Sequence, residues 1–163
     1  MKTKFILSLF LFYKVLFAQE ATDKIFYSDS LHQNATADNY YIKTIVKDYS
    51  LDKPEYKYIE YYKSGSLKSE KTLSGKDGGF PIGEEINYYE NGNKKSTSFY
   101  ENKKQSGKLS TWYENGQLKE EGEYNPDKFD TKEHYLVETI WDEKGAKMVE
   151  NGNGQYVSNT KTL

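Results

Sequence analysis

The side chains best suited to acid–base or metal chemistry are few and scattered. His32 and His134 are the two histidines, about a hundred residues apart. Two histidines with carboxylates are donors a zinc site uses, but no ligand spacing joins these two, and solvent-facing imidazoles are the expectation. Glu90 and Glu114 are better placed. Paired acids hydrolyse glycosidic bonds when held about 5–10 Å apart across the bond. These two, however, recur at one position of a repeat, as turn chemistry predicts, whereas a catalytic acid is needed once. No Gly-x-Ser-x-Gly elbow is present. Gly152-Asn153-Gly154 is a fragment of a nucleotide loop and opens no helix. Asn34-Ala35-Thr36 fits a glycosylation sequon, a single match in a chain rich in Asn and Thr. With no cysteine, the chain lacks disulfides, thiol nucleophiles, cysteine-based zinc sites and a lipidated N-terminal cysteine. The expectation is a protein that is not an enzyme, with no catalytic residue, cofactor or metal.

Composition narrows the partners. All 23 basic residues are lysine. Residues 1–19 hold Lys2, Lys4 and Lys14 and no acid; without them 20 lysines face 25 acids, a net charge of −5. Nucleic-acid binding relies on positive fields and arginine forks, so nucleic acid is not an expected partner, nor is an anionic membrane surface. Residues 1–19 read as a signal peptide: Lys2 and Lys4 supply the charged start, Phe5 to Tyr13 an apolar stretch, Ala18 a small residue for cleavage. The stretch is short for a membrane span, which needs about 20 residues. A periplasmic or extracellular protein is expected, without a lipid anchor or integral membrane contact in the mature chain.

What must position any site is a repeat. Tyr61-Tyr62-Lys63-Ser64-Gly65, Tyr88-Tyr89-Glu90-Asn91-Gly92, Trp112-Tyr113-Glu114-Asn115-Gly116 and Trp141-Asp142-Glu143-Lys144-Gly145 align on their glycines. Three residues after each glycine come Lys68, Lys95, Lys119 and Met148; five after come Glu70, Thr97, Glu121 and Glu150. In the two middle copies Gly83 and Gly107 stand nine residues earlier. Asn91-Gly92 and Asn115-Gly116 favour a two-residue type I′ hairpin turn, with positive φ at both positions. Aromatic-rich runs precede the turns and lysine–glutamate runs follow them, which suits half-buried strands. The expected fold is all-β, an antiparallel meander of tandem hairpins in one extended twisted sheet. Its parts are a strand or hairpin segment at 20–55, a repeat domain at 56–157 and a frayed tail at 158–163. Short strands are expected at Tyr40 to Tyr49 and Ile25 to Tyr27. Ser74 to Gly83, Glu101 to Gly107 and Asn125 to Lys132 read as loops.

Alternation assigns two faces. The first carries Ile59, Tyr61, Ile86, Tyr88, Trp112, Val137 and Trp141. The second carries Tyr62, Leu67, Tyr89, Leu109, Tyr113 and Leu118, with Tyr62 opposite Leu67 and Tyr113 opposite Leu118. The first face is the more apolar and is expected to form the core. That leaves Tyr62, Tyr89 and Tyr113 on the second as the candidate partner-binding surface.

The aromatic-Tyr-x-Asn-Gly turns followed by Leu-Lys-x-Glu resemble the MORN repeat variant, a bacterial relative of MORN repeats. The resemblance covers residues 56–155 and is best at Gly92 and Gly116. Arrays of this kind are often grouped as the YwqK-type antitoxin family. The resemblance implies a β-meander with an interaction role and no catalytic residues. The expected function is an exported protein-binding or scaffold module, in one form antitoxin- or immunity-like, with a protein or peptide partner that includes a second copy of itself. The alternative is an envelope carbohydrate-binding module that stacks sugars on exposed aromatic rings.

Overall fold

A computed structural model describes residues 20–31, 33–128 and 134–154. The expected signal peptide at 1–19, His32 and the tail at 158–163 lie outside the described residues. The strands are β1 (Lys24–Ser28), β2 (Ile42–Val46), β3 (Tyr56–Tyr62), β4 (Leu67–Leu73), β5 (Pro81–Tyr88), β6 (Lys94–Glu101), β7 (Lys104–Trp112), β8 (Leu118–Tyr124), β9 (Tyr135–Trp141), β10 (Lys147–Glu150) and β11 (Asn153–Gly154). All pair antiparallel, and their order across one open sheet is their order in the chain. A single 3-10 turn, Pro126–Lys128, is the only helical element among the described residues.

The four repeat hairpins share one loop, and it is not the two-residue turn. In each, the residue three before the glycine accepts the glycine N–H at 2.9–3.0 Å, and its own N–H donates to the carbonyl just after the glycine, as in Tyr89 N to Asn93 O at 2.8 Å. This is a three-residue loop, a type I turn closed by a left-handed residue. Within these loops Gly65, Gly92, Gly116 and Gly145 alone have positive φ, +85° to +91°; Asn91 and Asn115 do not. The asparagines serve another purpose. Asn91 Oδ1 accepts Asn93 N–H at 3.0 Å and Asn115 Oδ1 accepts Gln117 N–H at 2.9 Å, which locks each turn from its side chain. In the last copy Asp142 Oδ1 does this work, accepting from Lys144 and Ala146.

The extra loop residue shifts the register by one. Leu67 pairs with Tyr61 and Leu118 with Trp112, so both leucines join the first face. Immediately beyond, all four hairpins skip one residue, Lys68, Lys95, Lys119 or Met148, in a β-bulge that restores the alternation. Val137 also changes sides: a bulge between β8 and β9 pairs it with Gly122 on the second face. The loop read at Glu101 to Gly107 is mostly strand, because β7 begins at Lys104, whereas the one read at Ser74 to Gly83 is a loop up to Phe80, where β5 takes over at Pro81. Gly83 and Gly107 sit within those strands at φ +68° and +63°, beside register shifts; there is open space for a Cβ at both, so it is the left-handed backbone that favours glycine. The turn expected at the Asn-Gly pairs occurs instead at Asn102–Lys103, with φ of 50° and 66°, and at Asn151–Gly152, with 50° and 73°.

The core lies on the second face, contrary to the apolarity of the first. Val46, Tyr56 and Tyr58 form its buried centre, with Phe26, Tyr49 and Leu73 packed against them. Ile42 and the pair Ile140–Val149 are also buried there. The reason is tertiary. The segment between β4 and β5 folds back over this face, tied by Tyr58 Oη, which donates to Gly75 O at 2.9 Å and accepts Gly78 N–H at 2.7 Å. The first face stays open: Ile25, Ile82, Phe99 and Leu136 are 38–58 % exposed.

Candidate functional site

Tyr62, Tyr89 and Tyr113 occupy equivalent positions at the ends of the strands that enter the repeat loops. Each is half-buried on the second face, and each hydroxyl is committed. Tyr62 Oη donates to Tyr88 O at 2.8 Å, Tyr89 Oη to Trp112 O at 2.8 Å, and Tyr113 Oη to Trp141 O at 2.9 Å. Every bond runs to the backbone of the next repeat. Burial raises the pKa of the Tyr62 and Tyr89 hydroxyls, with Glu90 and Glu114 adding to the first and Glu114 to the second, so both remain protonated donors. The bulge lysines cap the rings, Lys95 over Tyr89 and Lys119 over Tyr113, each 5.6 Å from the centroid. The fourth copy has Asp142 where a tyrosine would stand. The three tyrosines thus form a ladder that couples hairpin to hairpin.

The loops are coupled as well. Asn91 and Asn93 donate side-chain amides to Glu114 O at 2.8 and 2.9 Å, and Asn115 donates to Glu143 O at 3.1 Å. Glu90 and Glu114 remain exposed at the loop tips. His134 packs beside Tyr124, ring centroids 5.9 Å apart. The structure therefore does not gather the acids and this histidine into one constellation.

Sequence reasoning missed a charged cluster on the second face. Glu60 Oε2 accepts Lys68 Nζ at 2.8 Å and Ser69 Oγ at 2.9 Å, and Oε1 accepts Lys71 Nζ at 3.2 Å. Burial pushes the Glu60 pKa up, but the Lys68 hydrogen bond and the charges of Lys71 and Lys68 outweigh it and bring it down to about 2. Because the folded pKa lies below the ordinary 4.5, the stabilisation is complete above pH 4.5 and disappears as pH falls to about 2. Glu60→Gln is expected to lower stability by about 2 kcal/mol at pH 7, the size of a hydrogen bond to a charged group. In urea titrations the gap between variant and wild type should close between pH 4.5 and 2; a gap independent of pH would exclude an electrostatic origin.

On the first face, pairing places Tyr61 beside Leu67, Tyr88 beside Lys94, Trp112 beside Leu118 and Trp141 beside Lys147. One row therefore carries an aromatic ring on every second strand, spaced about 10 Å apart from the usual strand separation. All four rings are half-buried, like the tyrosines opposite.

Two segments of the chain match the family model of the MORN repeat variant, residues 81–102 and 105–125. They contain the β5–β6 and β7–β8 hairpins with Gly92 and Gly116. No curated protein and no solved structure matches the chain.

Proposed function

We propose that this chain, a MORN repeat variant protein by its two central hairpins, is an exported module that binds a protein partner and performs no turnover. Repeats of this kind are generally modules that bind proteins or membranes. The observation that carries the reading is the open first face. Ile25, Ile82, Phe99 and Leu136 are exposed there, on the same side as the aromatic row, while the buried cluster of Val46, Tyr56 and Tyr58 lies on the opposite side. Ile82 and Phe99 stand together there on neighbouring strands, and contiguous exposed apolar surface marks interaction sites. The hydroxyls of Tyr62, Tyr89 and Tyr113 are already used within the sheet, which moves the proposed docking surface to the other face. Export rests on the basic, apolar and small-residue order of residues 1–19. An antitoxin or immunity role is one form such a module takes.

Ile82→Lys combined with Phe99→Lys places two charges on that surface at positions 38 % and 45 % exposed. The pair should weaken a partner recovered from the producing cell's envelope fraction at least about tenfold, as expected for lost interface anchors. The melting temperature should stay close to wild type, since exposed substitutions change stability by about 0.5 kcal/mol or less. Undiminished binding by the double variant would exclude the first face. A specific signal on a glycan array, with no protein recovered, would favour the carbohydrate alternative.

A further inference from the structure

Strand pairing arranges the open first face in rows that run across the sheet. Nearest the repeat loops stand Tyr61, Tyr88, Lys94, Trp112 and Leu118. Ile59, Ile86, Thr97 and Ser110 follow in the middle, and Ile82, Glu84, Phe99 and Lys108 form the third row. The acids of the middle row are committed within the chain, Glu70 to Lys57, Glu121 to Lys108 and Glu150 to Lys147. Lys94 in the first row and Glu84 in the third are exposed, and neither makes an ion pair among the described residues. Lys94 lies over the Trp112 ring, 5.8 Å from its centroid. Beside the third row the face is hollow. One recess of about 430 Å³ is lined in part by Ile82, Glu84 and Ile86, another of about 360 Å³ by Glu84, Thr97, Phe99, Lys108 and Ser110. The small side chains of Thr97 and Ser110 leave that room.

This pattern is complementary to itself. A twofold axis along the middle row sets each strand against the same strand of a second copy, running the opposite way. The first row of each chain then faces the third row of the other. Tyr88 meets the recess at Ile82 and Glu84 of the second copy, and Trp112 meets the recess at Phe99 and Lys108. Lys94 comes one strand aside from Glu84 of the second copy, within reach of its long stem, and the symmetry makes that pair twice. The area suffices. Strands β3 to β9, about 4.8 Å apart, and the three rows along them give about 600 Å² per copy, about 1,200 Å² in all, at the lower end of stable interfaces. Sheets of one twist pack face to face in this aligned manner, about 10 Å apart. We infer that the first face binds a second copy of this chain, sheet on sheet, through an isologous interface. The inference rests on the reading of that face as a protein-docking surface and names its occupant.

Sedimentation of the full chain at loadings of about 1–300 μM, where weak dimers dissociate, should show a monomer–dimer equilibrium. Lys94→Glu and Glu84→Lys are each expected to weaken the dimer at least about tenfold, since like charges then face each other twice. Both positions are exposed, so the melting temperature at the lowest loading should stay near wild type. An equimolar mixture of the two variants should dimerise again, because in the heterodimer every reversed charge meets its opposite. Edge-to-edge pairing of β1 or β11 would be indifferent to both variants and to the mixture. A dimer that neither variant weakens, a loss that mixing does not restore, or a chain monomeric at every loading would overturn the inference. In the last case Ile82→Lys with Phe99→Lys still tests the first face against a different protein, so the two readings fail separately.

Discussion

Gly122→Ala should destabilise the protein by about 3 kcal/mol, the sum expected of overpacking and a disturbed hydrogen bond to a charged group. Gly122 is buried in the middle of β8. A Cβ there would stand 2.5 Å from Tyr135 Oη and 2.6 Å from the backbone oxygen of Leu136. The tyrosine can swing away only by abandoning Glu120, whose Oε1 accepts its hydroxyl at 2.6 Å. The Leu136 carbonyl belongs to the paired strand and can move only if β9 moves. Burial, with Glu120 as the second cause, drives the Tyr135 pKa far upward, so the ring is a fixed proton donor. Thermal and urea unfolding measure the cost, which corresponds to a melting temperature lower by about 10 °C for a domain of this size. A loss below about 1 kcal/mol, the range of ordinary substitutions, would contradict the close approach of β9 to β8.

Replacing Tyr62, Tyr89 and Tyr113 together by phenylalanine should also cost about 3 kcal/mol, near 1 for each hydroxyl bond, because the three sites share no partner. The rings remain, so packing is little changed and the variant isolates the ladder. More informative than the total is its distribution. The bonds run between neighbouring hairpins, and in repeat proteins such interface terms make the array unfold as one unit. The triple variant should therefore show a shallower urea transition and earlier hydrogen exchange in the terminal hairpins than in β5 to β8. A uniform loss with an unchanged slope would show that coupling resides in the backbone pairing alone. Tyr62→Ser, Tyr89→Ser and Tyr113→Ser would remove rings as well and should lower stability further.

The repeat, the four hairpins and the all-antiparallel order were legible because the glycines, aromatics and lysines recur at fixed offsets. The loop type was legible in principle. Ser64, Asn91, Asn115 and Lys144 all precede a turn glycine, and a turn requiring positive φ at that position would strain serine and lysine. The favourable Asn-Gly pairs masked this constraint, and the one-residue register error carried Leu67 and Leu118 to the wrong face. The core side was not legible from counts of apolar residues. It is decided by where the segment after β4 folds and by Tyr58, whose hydroxyl anchors it, contacts that no local pattern contains. Gly122 left a visible sign, a lone glycine inside a strand pattern, which marks close backbone approach. Glu60 left none: its lysines lie eight and eleven residues away and meet it only across the hairpin.

Because β1 to β11 lie side by side in chain order, no strand has to wait for a distant partner. Each newly completed hairpin finds its docking edge already in place, and the connection that must close is thirteen residues at most. Assembly can therefore proceed vectorially, one hairpin behind another, from the end that first becomes free. The same arrangement means that a chain interrupted after any complete hairpin still ends on a paired strand, so partial products differ from the whole in length more than in kind.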